Sequence, residues 1–490
     1  MKRCTLIVKV IPLILILLLL LPALLACGGS SDKTPSATEE TNEKDPGYEL
    51  DENGYIKDSL PSDLSFDREF LTLSAENQKW HFWAEKDDTT NVGKAVWQRN
   101  QTVEERLGIV LNWKHEPCYS GTEKNRFAQM VESDCKAGNE FDCVISYNLV
   151  PYGLANKGYC QNLAKTKYID LSGPWWPSAF LDTMLYKEQI FALVNSCGVG
   201  TLSNLSCIYF NNTLLEDRQL ESPYELVPSN QWTLEKMKEL VKDTYVDVNQ
   251  NKKVDKEDFF GVSTSTKPRI TCWYYGAGVR FSSLNEAGEL ELIANDVETI
   301  SSAVNGILDL FSNQDAFLVD NNSNKMFLEQ RTLFYLATLN LATVIQEIDY
   351  GVAPIPKLNS AQSRYYTHVP NTHDAWFLPT GVKDPDCSSA FIECMASEAY
   401  RQVNVVYYET NLKLRYAPDD RLAQMYDLIR ESITFDFVYI YKTVFNEDCD
   451  AKMLACIENP QSTNWATTWG SIGSSVSADF EKLLAIYEKD

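Results

Sequence analysis

The sequence predicts an α/β fold of mainly parallel sheets flanked by helices, in two or three domains. Three observations predict it. From Phe66 onward, strand-like runs alternate with amphipathic helical runs, the pattern of βαβ units. The chain has 490 residues, and domains average roughly 100–200 residues. Its composition, 44% hydrophobic and 12% aromatic, is ample to bury cores of that size and excludes disorder throughout.

The N-terminus comes first in the order of elements. Met1, Lys2, Arg3 and Lys9 form a basic start, Ile11 to Leu21 is almost all Leu and Ile, and Leu24-Leu25-Ala26-Cys27 ends the run. The apolar stretch is shorter than the ~20 residues a spanning helix needs, and Pro12 and Pro22 interrupt it. It resembles a bacterial lipoprotein signal peptide over residues 1–26. That resemblance implies cleavage before Cys27, acylation of its thiol, and a lipid-anchored chain on the extracellular face of the cell membrane. Leu25 stands where a small or hydroxyl residue is usual. Residues 27–62 open with Gly28-Gly29-Ser30-Ser31 and continue in small and polar residues to about Pro46, which marks a flexible tether.

Past the tether, Leu71 to Phe82 contains strand-like stretches, Val92 to Leu107 has helical spacing, and Ile109 to Trp113 is a strand. Arg126 to Ala137 is a helix and Phe141 to Ser146 a buried strand. An irregular segment with Pro174-Trp175-Trp176-Pro177 follows. A second unit opens near Gln189 to Leu193 and Cys207 to Phe210, and Thr233 caps a helix through Val241. Val297 to Phe311 and Asn324 to Gln330 are helical. Thr332 to Leu336, Tyr350 to Ala353 and Ala375 to Leu378 are strands. Ala390 to Val406, Leu422 to Ser432 and Ser477 to Lys489 are helices.

With 44 Lys+Arg against 68 Asp+Glu the net charge is −24, the wrong sign for a generic nucleic-acid binder. Thirteen cysteines less Cys4 and Cys27 leave an odd number, with no C-x-x-C and no zinc spacing, so most are small buried hydrophobes with room for one or two bridges.

Several segments taken in order resemble the extracellular solute-binding proteins of ABC importers, the sugar-binding type that includes maltose-binding protein. They are Phe141-Asp142-Cys143-Val144-Ile145, Tyr168-Ile169-Asp170-Leu171-Ser172 before Trp175-Trp176, Ile208-Tyr209-Phe210-Asn211, Gln231-Trp232-Thr233-Leu234-Glu235, Tyr275-Gly276-Ala277-Gly278, Phe327 to Phe334, and Tyr350 to Pro356. The resemblance covers about residues 64 to 490. It implies two lobes joined by hinge crossovers, each made of discontinuous segments: 63–190 with 325–385, and 191–324 with 386–490. It also implies a solute held in the interlobe cleft, delivery to a membrane permease, a monomer, and no chemistry.

A sugar site combines flat rings with short polar partners, because sugars present C–H faces and a hydroxyl rim. The ring candidates are Trp273, Tyr274, Tyr275, Trp376, Trp175, Trp176, Trp465 and Trp469, with Tyr147 just past a strand end. Polar partners are Asp374, Asn148, Asp142, Asn195, Asn340, His373 and Arg280. Trp273-Tyr274-Tyr275 stands out: three neighbouring rings before a glycine-rich turn cannot all point inward. Core packing is the alternative for any one of them. A carbohydrate, of oligosaccharide size, is the expected solute, and a peptide the alternative. Two other classes stay open, a glycan hydrolase and a sensory binding protein. The 68 acidic residues supply carboxylates, yet nothing marks a catalytic pair and no hydrolase or nucleotide motif is present.

Asp247 to Asp258 places oxygen side chains at loop positions 1, 3, 5, 9 and 12 and resembles an EF-hand or dockerin calcium loop. The ligands it implies are Asp247, Asn249, Asn251, Lys253 through its backbone carbonyl, Asp255 and Asp258, with a structural role on the second lobe. Lys252 replaces the usual glycine, and Asp258 is shorter than the usual Glu. A self-capping polar turn is the alternative.

Overall fold

The computed structural model describes residues 49–195, 198–265, 269–312, 314–319, 324–415 and 420–488. The expected leader and the lipidation at Cys27 lie outside the described residues. No helix among those described is long and apolar enough to cross a membrane.

The elements that position the site run in this order: β1 (Arg68–Ala75), α1 (Asn91–Leu107), β2 (Ile109–Glu116), α2 (Gly121–Ala137), β3 (Cys143–Tyr147), β4 (Ser206–Asn211), β5 (Phe260–Ser265), α3 (Ile270–Gly276), α4 (Val297–Leu310), β6 (Ala316–Val319), β7 (Thr332–Thr338), β8 (Tyr350–Ala353), β9 (Thr367–His368), β10 (Asp374–Phe377), α5 (Pro385–Glu398), α6 (Asp420–Glu431), β11 (Ile433–Thr434), α7 (Cys449–Glu458) and α8 (Trp465–Leu484). Local chemistry sets the ends of the helices. Thr90 accepts the Gly93 N–H at the start of α1, and Gly108 closes that helix with φ 58°. Ser120 and Glu123 form a reciprocal capping box on α2.

Two sheets organise the chain. The first has the order β10-β3-β1-β2 and the second β8-β4-β7-β5-β6. β1 pairs in parallel with β2 and β3, and β5 in parallel with β7 and β6. The antiparallel strands, β10 on β3 and β4 between β7 and β8, come next after the chain has crossed from one sheet to the other. β9 and β11 pair with each other as a small parallel ribbon. Each sheet buries its own apolar side chains. Phe70, Leu73, Val144, Ile145, Phe377 and Phe391 are solvent-free in the first lobe, and Ile208, Phe210, Val262, Leu333, Leu336 and Val352 in the second. A fully buried side chain of this size contributes about 1.5–3 kcal/mol.

The pairing corrects the expected division into lobes. β7 and β8 lie within 325–385, assigned to the first lobe, yet they hydrogen-bond to β4 of the second sheet. All of α5 but its first residue lies within 386–490, assigned to the second lobe, yet Phe391 packs on Phe70 of β1, and Glu398 binds Arg106 of α1. Strand patterns reveal that strands exist, whereas the partner is chosen by tertiary contact, so the crossover points are invisible in the chain. The expected tether, 27–62, is also too long. The Asp58 side chain is 2% exposed and binds Arg106 at 2.8 Å and Arg401 at 2.7 Å, which fixes this stretch to α1 and to the helix after α5.

That helix holds a second difference. Instead of ending near Val406, the segment after α5 continues in π register through Ala399–Val403 and Val405–Arg415. Gln189 to Leu193, where the sequence opens a second unit, forms two isolated bridges, Gln189 with Tyr186 and Leu193 with Trp376. Ten cysteines are described, all free and nine of them buried, among them the seven-apart pairs on α5 and α7.

Candidate functional site

A cavity of about 440 Å³ opens between the two sheets. Its first wall follows β1: the chain leaves the strand at Ala75, makes a tight turn over Glu76–His81, and sets Trp80 and Trp83 on the cavity. Ligands in α/β folds gather at the C-terminal ends of strands, and this is that end of β1. Trp80 is 44% exposed although large and apolar, and an exposed tryptophan in a concavity is a contact surface in waiting. The second wall is the start of α1, where Asp88, Thr89, Thr90 and Asn91 face the space. The Asp88 carboxylate accepts both the Thr90 hydroxyl at 2.7 Å and its N–H at 2.8 Å, which holds its pKa below the usual value. The third wall comes from the other sheet: Asn340 and Thr343 follow β7. Tyr407, Asn411 and Leu412 of the π-register segment complete it.

The chemistry of these walls is specific. Two indole rings and a phenol give flat apolar faces, while Thr, Asn and Asp side chains surround them with hydrogen-bonding groups. Among the described lining residues Asp88 is the one carboxylate and none is Lys or Arg. Such a surface suits a neutral, hydroxyl-rich molecule and offers an anion no counter-charge. A single carboxylate is also half of the pair that glycoside hydrolysis needs.

Of the residues singled out in the sequence, Asn340 lines this cavity. Trp376 and Asp374 lie behind its wall: Asp374 accepts the Trp376 indole N–H at 2.7 Å and binds His81 at 3.0 Å, directly behind Trp80. Tyr147 ends β3 with an edge contact to Tyr119, and burial pushes its phenol up to about 12. Asn148 is buried and donates to Asn371 at 2.9 Å. Asp142 stands at the opposite end of β3, paired to Arg68 at 2.6 Å, where it ties two strands together. Trp175 is fully buried beside Tyr400, and Trp176 donates to the Asp170 carbonyl. Trp465 donates to the Ala294 carbonyl and stacks on Phe281.

The argument from Trp273-Tyr274-Tyr275 fails on its premise. All three rings are buried, because α3 is enclosed by neighbours. Trp273 meets Phe311 edge-on, Tyr274 donates to Asp450, and Tyr275 stacks on His368 at 4.5 Å with a 6° tilt. Gly276 is small to admit Ile355, whose Cγ2 lies 2.3 Å from where a Cβ would stand. Sequence reading missed Trp80, Trp83, Tyr407 and Asn411. The signal is present in Trp80-His81-Phe82-Trp83, four rings in succession, the first three of which close the stretch Leu71 to Phe82 with its strand-like runs.

In the calcium-like loop, Lys252 has φ 62°, the left-handed turn that position six requires. The loop's oxygens converge on its own backbone: Asp247 accepts from Asn251 and Lys252, Asn251 from Lys253, and Asp258 from Val248 and Asp255. Oxygen side chains of this kind are what a hard cation takes, but here backbone N–H groups occupy them. Among the described residues no three His, Cys, Asp or Glu gather as a metal cluster.

No protein-family model matches the sequence, and no curated protein matches it either. The fold does match solved structures. An ABC substrate-binding protein from Listeria monocytogenes in complex with cycloalternan superposes with a TM-score of 0.52 at 13% identity, covering 86% of this chain and 99% of that one. The GacH receptor of Streptomyces glaucescens, solved unliganded and with acarbose, gives 0.51 at 14% identity over 86% and 99%. The sugar-binding protein MalE from Xanthomonas citri gives 0.55 at 11% identity over 86% and 100%. The two-lobed fold expected from the sequence is the fold of this chain.

Proposed function

We propose that this chain is the solute-capturing component of an ABC importer, tethered through a lipid on Cys27 at the outer face of the cell membrane, and that it takes a neutral oligosaccharide in the cavity between its sheets. The observation that carries the reading is the composition of that cavity: Trp80 and Trp83 from one lobe, Asn340 and Thr343 from the other, and no basic side chain among the described lining residues. A solute touching both lobes favours their closed arrangement, since only differential contact shifts such an equilibrium. The segments crossing between β3 and β4, and between β8 and β10, are the hinges in this reading. The neighbours of known structure bound to cycloalternan and acarbose support a carbohydrate. The solute leaves unchanged for a permease. Calcium in the Asp247–Asp258 loop braces the second lobe.

The test is a thermal-shift screen of the purified chain against maltotriose, maltotetraose, acarbose, cycloalternan and a peptide mixture. Binding to the native state alone stabilises by about 2.7 kcal/mol at a hundredfold excess over Kd. The expected result is a concentration-dependent rise in Tm with at least one sugar. A rise with peptides only would replace the carbohydrate reading, and release of cleaved sugar would replace the binding one.

A further inference from the structure

We propose that Asn411 is the specificity-determining contact of the cavity, its side-chain amide being the group that engages a hydroxyl of the bound solute. The residue is 8% exposed and lines the cavity, yet its side-chain oxygen Oδ1 is buried and accepts no hydrogen bond from the protein. Buried polar groups are almost always paired, and one that is not marks a place where something else supplies the partner.

The backbone explains how this group is presented. In the segment Val405–Arg415 the hydrogen bonds run from i to i+5, so residues four and five apart share a face. Tyr407, Asn411 and Leu412 have that spacing, and all three line the cavity. An α-helix would carry Leu412 around to another side. Isolated π turns recur at functional sites because they re-aim side chains in this way. A ring, a polar amide and an aliphatic group thus stand together opposite Trp80 and Trp83. Leucine, with the same number of side-chain heavy atoms, would leave no polar atom unpaired at this position.

The identity of the hydroxyl donor as a sugar rests on the proposed function, whereas the role of Asn411 as the open contact does not. Two measurements separate them. The first is a high-resolution crystal structure of the wild-type chain soaked in glycerol as a hydroxyl probe. The Asn411 amide is expected to hydrogen-bond a glycerol hydroxyl or an ordered water in the cavity, and an amide turned to a protein partner overturns the proposal. The second compares Asn411→Leu with wild type. Its Tm without added solute is expected to equal or exceed that of wild type, with affinity for the sugars of the screen at least tenfold weaker. A Tm lowered by more than about 5 °C, or undiminished sugar affinity, makes Asn411 a structural residue and overturns the proposal. If wild type binds none of the sugars, the carbohydrate reading falls, and the crystal structure together with the Tm of Asn411→Leu still decides the role of Asn411.

Discussion

The rings of Trp80 and His81 meet edge to face, 4.3 Å apart at 71°, so an exposed indole on the cavity rests on a buried imidazole that is itself bound to Asp374. The cavity wall is therefore backed by the core of the first lobe: Trp80 leans on His81, His81 on Asp374, and Asp374 on Trp376. Gly200, in the segment that crosses to the second sheet, lies against the same carboxylate, with no space for a Cβ. Wall, core and crossing segment meet within a few ångströms.

This arrangement separates binding from folding. Trp80→Ala removes a ring that is 44% exposed and is expected to cost about 1 kcal/mol of stability, while weakening sugar binding at least tenfold. Trp273→Ala empties a solvent-free site and is expected to cost about 3–5 kcal/mol. Urea melts of the two variants check the contrast; equal losses would mean that Trp80 is a packing residue.

Acid should unfold the protein in a defined window. His373 is buried, and burial, opposed by its hydrogen bond to the Pro370 carbonyl and by Asp374, lowers its pKa to about 4. The unfolded chain, with an ordinary histidine near 6.5, then binds more protons between those values. Stability is thus complete above pH ~6.5 and is lost as pH falls towards about 4, by about 3 kcal/mol in all. Burial alone would raise the Asp374 carboxyl, but the His81 and Trp376 bonds carry it below its usual value. That contribution disappears only at lower pH still. Denaturation midpoints measured across pH 4–8 for wild type and His373→Gln check this. A flat profile in wild type contradicts it.

Asp58 clamps the segment that precedes β1. Replacing it with Ala leaves Arg106 and Arg401 without one of their two carboxylate partners, Glu398 remaining. The expected cost of breaking such a partly buried network is about 3 kcal/mol. A chain starting at residue 49 should melt like the full-length protein, and one starting at residue 63 should melt well below it. Identical Tm values for the two truncations would show the clamp to be idle.

Calcium is expected to raise the Tm, with an apparent affinity on the order of 10⁻⁴–10⁻³ M, as in extracellular modules. EDTA should reverse the rise and Asp247→Ala should abolish it. No shift at 10 mM calcium would leave Asp247–Asp258 as the self-capping turn its hydrogen bonds already describe.

Much of the fold was legible because its signals are local. The spacing of apolar residues in Val92 to Leu107 matches α1 to within one residue, and short apolar runs located β2, β3, β4 and β7. What lay out of reach depends on contacts between distant segments. That β7 and β8 join β4 rather than the first sheet is decided by which strands meet. That the helix after α5 takes π register is no more visible in its residues. The site was the least legible part. Trp273, Tyr274 and Tyr275 look like a binding platform in the sequence, but an enclosing set of helices turns all of them into core. Trp80 looks like the end of a strand and stands exposed, because the strand stops at Ala75 and the turn that follows swings the ring outward.

Calorimetric titration of wild type and of Trp80→Ala/Trp83→Ala with the oligosaccharide panel tests the central claim most directly. The account predicts one site per chain in the wild type, lost in the double variant, with the sugar recovered intact. No heat from any neutral sugar, or binding that survives removal of both indoles, would contradict it.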